Sequence, residues 1–259
     1  MERLTESLVA TIFNGLSLRD ALYASYVCRG WNSVLSGYLS HTYSLHKYLF
    51  SSFPNPESIL QRFRDCGAIL SGSRALSYFL PSQREYTQFS DWDIYVPYPH
   101  YPLLHDELVL QGFQSVERTK PSPNPELFRV FDYRNNLSND KIQLVALASR
   151  WNLYDCLMQF HMSIVQNFIS GWGCYSVHWM STFNKEGWLA ERIKAPEYQE
   201  ECIRKFETRG IELVRWQDRQ LVGCYGIFAV YLPLKREGCA HEYISLEQLK
   251  KNLCQPLKS

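Results

Sequence analysis

The sequence predicts an α+β protein. A small N-terminal three-helix unit precedes a mixed sheet flanked by helices, and a largely helical C-terminal part follows. Three observations predict this. Apolar residues between positions 8 and 35 recur at helical spacing. Between 68 and 147, short β-branched and aromatic runs alternate with helical stretches. From 154 to 168, Leu157, Phe160, Ile164, Val165 and Phe168 fall on one helical face.

The totals are consistent with this class. The chain has 259 residues, 46% hydrophobic and 20% charged, enough for a filled core and too apolar for global disorder. A formal net charge of +1 excludes the strongly basic footprint of a protein that holds duplex nucleic acid through its phosphates. The eight cysteines form no C-x-x-C pair, so a zinc ribbon or dithiol site has no support, and most sit among apolar neighbours as buried reduced thiols would. The N-terminus reads as no secretory signal and no apolar run is long enough to span a bilayer, so a cytoplasmic or nuclear protein is expected.

Taken in order, Leu8, Val9, Ile12, Phe13 and Leu16 give a first helix its apolar face. Ser17 is placed as an N-cap, with Asp20 in the first turn of a second helix through Ala21, Leu22, Ser25 and Tyr26. A third helix begins near Cys28 or Arg29 and presents Trp31, Val34 and Leu35. Three such helices make too small a core to stand alone. The run 17–36, with its S-L-x-D and V-C-R-x-W elements, resembles the second half of an F-box, although the leading Leu-Pro of that family is absent. The resemblance spans about residues 2–48. It implies docking on a Skp-type adaptor of a cullin–RING ubiquitin ligase, through Leu22, Val27 and Trp31. The alternative is a helical cap covering the following domain.

Residues 51–56 are the best linker candidate, which places boundaries at 1–50, 51–150 and 151–259. Asn55, Pro56 and Glu57 read as N-cap, N1 and N2 of a helix that Gly67 ends. Ala68, Ile69 and Leu70 suit a buried strand, Ser71-Gly72-Ser73 a small-residue turn, and 74–80 a helix stopped by Pro81. At such a turn glycine lets the backbone approach a polyphosphate, and the helix amides point at it. Ser90 to Val96 is the next strand, and its period of two puts Asp91 and Asp93 on one face with Trp92 and Ile94 on the other. Two carboxylates on one face repel unless a cation lies between them, and paired oxygen ligands suit Mg²⁺. An edge strand with both aspartates in water is the alternative. A helix at 103–110, a strand at 113–118, a rigid loop at 121–125 and strands at 127–133 and 141–147 follow.

The order strand, Gly-Ser, helix, D-x-D strand, further strands resembles the nucleotidyltransferase superfamily that includes DNA polymerase β, over about residues 57–150. Within it the loop 83–88 is an insertion. The resemblance implies that Gly72 and Ser73 cradle the phosphates of an NTP and that Asp91 and Asp93, as catalytic carboxylates, hold Mg²⁺. Such enzymes add a third carboxylate on a later strand. Its counterpart here is Gln143, whose amide can accept one coordination bond but can neither neutralise a cation nor serve as a base. Asp132, one strand earlier, is the alternative source of that charge.

In the C-terminal half, stretches at 160–167, 181–183 and 205–210 resemble fungal nucleotidyltransferase-like proteins. His161 lies among apolar residues and reads as a buried histidine, and Trp172, Tyr175, Trp179 and Trp188 either stack on a base or fill a core. Segments 209–214 and 221–232 are expected to pair as a late hairpin, and 245–253 is an amphipathic helix. The function these features favour is an F-box-type adaptor whose nucleotidyltransferase-like domain is degenerate and serves in recognition. The alternative is an active Mg²⁺-dependent nucleotidyltransferase that modifies a hydroxyl of a protein, RNA or small molecule.

Overall fold

The computed structural model of the chain describes residues 8, 11–12, 16, 18–118, 128–189, 196–215, 229–233, 242–244 and 246–254. Most of the expected first helix, Ser17, the loop 121–125 and residues 221–228 of the expected hairpin lie outside these residues.

Helices α1 (Leu18–Ser25), α2 (Arg29–Thr42) and α3 (Leu45–Phe50) form the N-terminal layer. Their inward residues Ala21, Leu22, Leu35 and Leu39 join the same apolar cluster as the central strands. Polar ties reinforce the packing. Arg19 Nη1 donates to Asn184 Oδ1 at 2.6 Å, and the Tyr78 hydroxyl donates to the Tyr43 carbonyl at 2.8 Å. The layer therefore shares its core with the rest of the chain. The linker expected at 51–56 is not one: Phe53 is fully buried, with ring centroids 5.2 Å from Trp92 and 5.6 Å from Phe113. Polar residues on either side suggested a loop, but the one aromatic among them decides the packing.

Helix α4 (Pro56–Cys66) begins where its caps put it. Asn55 Oδ1 accepts the Ser58 amide, Pro56 occupies the first turn, and Gly67 closes the helix at φ 61°. Then follow β1 (Ile69–Ser71), α5 (Gly72–Phe79), α6 (Arg84–Thr87), β2 (Trp92–Pro97), α7 (Tyr101–Leu110), β3 (Gln114–Val116), β4 (Phe128–Arg134) and β5 (Lys141–Leu147).

The long helix expected over 154–168 is overturned. Helix α8 covers only Leu153–Met158, and after a 3₁₀ turn at Ser163–Val165 the chain enters β6 (Asn167–Ser170) and β7 (Gly173–Ser176). Every residue from Met162 to Ser170 is buried. Apolar positions at helical spacing in a segment enclosed all round fit a two-sided buried strand equally well. The remaining elements are α9 (Trp179–Asn184), β8 (Glu186–Leu189), α10 (Pro196–Glu207), β9 (Glu212–Arg215), β10 (Ala229–Pro233), β11 (Glu242–Ile244) and α11 (Leu246–Cys254). Among the described residues, strands β9 and β10 do not pair as the expected late hairpin. Strand β9 pairs in parallel with β8, while β10 pairs with β7 and β11. The C-terminal part, expected to be largely helical, thus gives four strands to the main sheet.

That sheet has the order β11-β10-β7-β6-β1-β2-β5-β4-β3. Its neighbours are antiparallel except β2 and β5, which run parallel. The pleat sorts its residues. Leu70, Ile94, Leu144 and Ile169 pack against the N-terminal helices, whereas Ile69, Val145, Phe168 and Tyr175 face the other way, toward α8 and α11. On this second face, beside α8, the sheet opens into a cleft. Among the described residues no helix is long and apolar enough to cross a membrane.

Candidate functional site

The cleft has a volume of about 940 Å³, and its lining includes Gly72, Ser73, Asp91, Asp93 and Gln143. The geometry starts at the end of β1. Ser71 pairs in register with Asp93, and its hydroxyl donates to the Asn167 carbonyl at 2.7 Å, which ties the turn to β6. Gly72 then adopts φ 73°, a region that residues with a Cβ avoid. A Cβ here would also lie 2.3 Å from Asp93 Oδ2. The glycine is needed twice, for its backbone conformation and to leave room for the carboxylate. Ser73 follows in the first turn of α5, and its hydroxyl accepts a hydrogen bond from Arg209 Nη1 at 3.3 Å.

Asp91 is delivered by a clamp. The guanidinium of buried Arg74 donates to the carbonyls of Gln88 (2.7 Å) and Ser90 (3.0 Å), pairs with Asp140 at 3.2 Å, and lies 4.6 Å from the centroid of the Trp92 ring. One side chain from the helix after Gly72-Ser73 thus ties down the approach to β2 and the turn entering β5. In β2 the alternation holds as the sequence predicts: Trp92, Ile94 and Val96 are fully buried, while Asp93 and Tyr95 face the cleft.

The parallel register sets Asp93 directly beside Gln143, so the two aspartates and Gln143 line one cleft next to Ser73. Asp132 is one strand further out, opposite Gln143, and is bound by Arg118 at 2.7 Å. Two strand spacings put it roughly 10 Å from Asp93 along the sheet. It does not line the cleft. Among the described residues no group of three His, Cys, Asp or Glu side chains could hold a metal ion.

Charge in the cleft is balanced from the opposite wall. Asp93 is half-buried with its carboxyl tucked against Gly72. Burial raises its pKa to about 7, helped by the negative charge of Asp91 and opposed by Lys205. Lys205, on α10, has its own pKa pulled below the usual ammonium value by burial and by Arg209, against the attraction of Asp93. His161 also lines the cleft, with Nε2 3.6 Å from Cys202 Sγ; burial, then Lys205, lowers its pKa, which favours the neutral ring. The rest of the lining is largely apolar, including Tyr95, Phe128, Trp151, Phe160 and Met162.

The structure thus brings together Gly72, Ser73, Asp91, Asp93 and Gln143. Leu22, Val27 and Trp31 are placed apart from them on α1, the turn after it and α2, Leu22 buried at 5% exposure and Val27 and Trp31 open to solvent. Sequence reasoning missed Lys205, Arg209 and Phe89, and put His161 in the core; nothing in their local spacing ties them to residues 72–93. Trp179 and Tyr175 are buried in the core and Trp172 is exposed; none of the three belongs to the cleft. Compared with known proteins, the chain matches no family model, no curated protein and no solved structure.

The donor set fits a divalent ion in part. Asp91, Asp93 and the Gln143 amide oxygen are hard oxygen ligands of the kind Mg²⁺ takes. With only two carboxylates, and one of them ionised only as the pH rises through about 7, the ion would depend on oxygen atoms from a bound ligand.

Proposed function

We propose that this chain is an adaptor whose nucleotidyltransferase-like cleft recognises a nucleoside triphosphate without transferring it efficiently. The observation that carries this reading is the in-register pairing of Asp93 with Gln143. It supplies a two-carboxylate site with a neutral amide where a third charge would be required to hold a second cation near an attacking hydroxyl. Ser73 and the first amides of α5 would contact phosphate oxygens, Lys205 and Arg209 would offset their charge, and the apolar lining suits the base and sugar. Mg²⁺, held by Asp91, Asp93 and Gln143, would neutralise phosphate charge when bound. The Gln143 amide is not basic, so it could not take the proton of an acceptor hydroxyl as a third carboxylate would.

Calorimetric titration with each of the four common Mg-NTPs tests the proposal. Binding by the wild type that is lost in Asp93→Asn supports it, and no binding at millimolar nucleotide rejects it. Incubation with labelled NTP addresses transfer. Little label on any acceptor in the wild type, with more in Gln143→Asp, supports degeneracy; efficient, Asp93-dependent labelling by the wild type favours an active transferase.

The adaptor half of the proposal is supported by a separate surface. Tyr26, Val27, Trp31 and Val34 leave apolar side chains 40–72% exposed on α1 and α2 and the turn between them, a concentration unusual for a free surface. Leu22 would support this surface from inside. Co-purification with a Skp-type adaptor, lost in Val27→Asp, is the expected result; no capture by the wild type rejects it.

A further inference from the structure

We propose that Phe89 is a stacking platform for the nucleobase of a nucleotide held in the cleft, an inference that rests on the nucleotide reading above. Phe89 is 87% exposed, lies at the cleft and immediately precedes Ser90 and Asp91. A single exposed apolar side chain is ordinary, but this one is held unusually firmly. The peptide carbonyls on both sides of it, those of Gln88 and Ser90, accept from the buried Arg74 guanidinium at 2.7 and 3.0 Å. The Ser90 amide also donates to the Thr87 carbonyl at 2.8 Å. The loop's conformational freedom is therefore lost before any ligand arrives, and a contact made by the ring does not bear that cost again.

The segment from 83 to 88, which contains α6, leads directly to this position. Its base is tied to the opposite wall, because Gln83 Nε2 donates to the Arg209 carbonyl at 2.9 Å. The segment therefore spans from the turn that follows the Lys205 helix to the edge beside Asp91, and ends by presenting an aromatic face to solvent. Nearby Tyr86 is also exposed but does not line the cleft. The chemistry that recognises such a ring is a flat, polarisable heterocycle, and stacking of this kind tolerates any base. With the phosphates assigned to Gly72-Ser73 and the Lys205 wall, the base is the part of the ligand left to meet Phe89.

The test compares Mg-ATP with tripolyphosphate, which carries the phosphates but no ring, on the wild type, Phe89→Ala and Phe89→Trp. At 87% exposure neither substitution disturbs the core. Phe89→Ala is expected to weaken Mg-ATP about fivefold or more, the low end of what loss of a base–aromatic stack does, and to leave tripolyphosphate affinity unchanged. Phe89→Trp should bind Mg-ATP at least as well as the wild type, with a fluorescence quench that tripolyphosphate does not produce. Unchanged Mg-ATP affinity in Phe89→Ala overturns the role of Phe89 and leaves the nucleotide reading standing. Equal losses for both probes show a loop effect without stacking and also overturn it. If the wild type binds neither probe, the nucleotide reading fails and this inference fails with it.

Discussion

Asp93→Asn should make the protein more stable while abolishing the nucleotide binding proposed for the cleft. A carboxylate raised from 3.8 to about 7 is one whose ionised form the fold disfavours. At about 1.4 kcal/mol per pKa unit, keeping it ionised costs the folded state about 4 kcal/mol above pH 7. The sign follows from proton counting. Between about pH 4 and pH 7 the folded chain holds a proton that the unfolded chain has released, so this group's contribution to stability falls as pH rises through that window. Asparagine has nearly the same size, keeps the space beside Gly72 filled and mimics the neutral acid. The gain is offset in part because Lys205 loses a partner. The expected gain is on the order of 2–4 kcal/mol at pH 8, or roughly 5–15 °C in Tm for a chain of this size. It should fall to less than half of that at pH 5, where the folded wild type is protonated but the unfolded chain is not, and vanish only below about pH 4. Thermal melts at pH 5 and pH 8 without nucleotide give both numbers. A variant no more stable than the wild type at pH 8, or equally stabilised at both values, would refute the reasoning that burial and Asp91 strain this carboxylate.

Three further outcomes are expected. Gly72→Ala forces φ 73° on a residue with a Cβ and drives that Cβ to 2.3 Å from Asp93 Oδ2, so it should cost roughly 1–3 kcal/mol in a denaturant melt and abolish nucleotide binding. A double variant with Asp93→Gly should relieve the clash but keep the backbone strain, so it should recover only part of the stability and none of the binding. Phe53→Ala, at the centre of the segment that reads as a linker, should cost about 3–5 kcal/mol because the side chain is fully buried between Trp92 and Phe113. A loss under about 1 kcal/mol would mean that the segment is a linker after all. Nucleotide affinity in the wild type should rise between pH 6 and pH 8 as Asp93 ionises; an affinity flat across that range in Asp93→Asn as well as in the wild type would separate binding from this group.

Local signals were the most legible in the sequence. The caps of α4, Asn55 and Gly67, stand where their residue types put them, because capping depends on a few neighbouring backbone groups. The same holds for Gly72 at a left-handed position and for the alternation of Trp92 and Ile94 against Asp93. Segments buried on more than one side were misread. In 160–169 a helical spacing of apolar residues carried no information once both faces were enclosed, and Ser163, Gln166 and Asn167 found internal hydrogen bonds there. Strand β9 was legible as a strand but not in its pairing, since its parallel partner β8 lies on the other side of α10 in the chain.

The sequence by itself determined that Gly72-Ser73 turns into a helix and that Asp91 and Asp93 share one face of the next strand, because both follow from steric limits within a few residues. It also determined that the later strand carries an uncharged Gln143. Only the tertiary structure decided that Gln143 stands beside Asp93, that Asp132 is claimed by Arg118, that Arg74 holds the approach to Asp91, and that Lys205 and Phe89 meet the same cleft. Those facts depend on strand register and on helices brought together from distant parts of the chain. Register and long-range packing are chosen by the whole core at once, so no short window of residues encodes them.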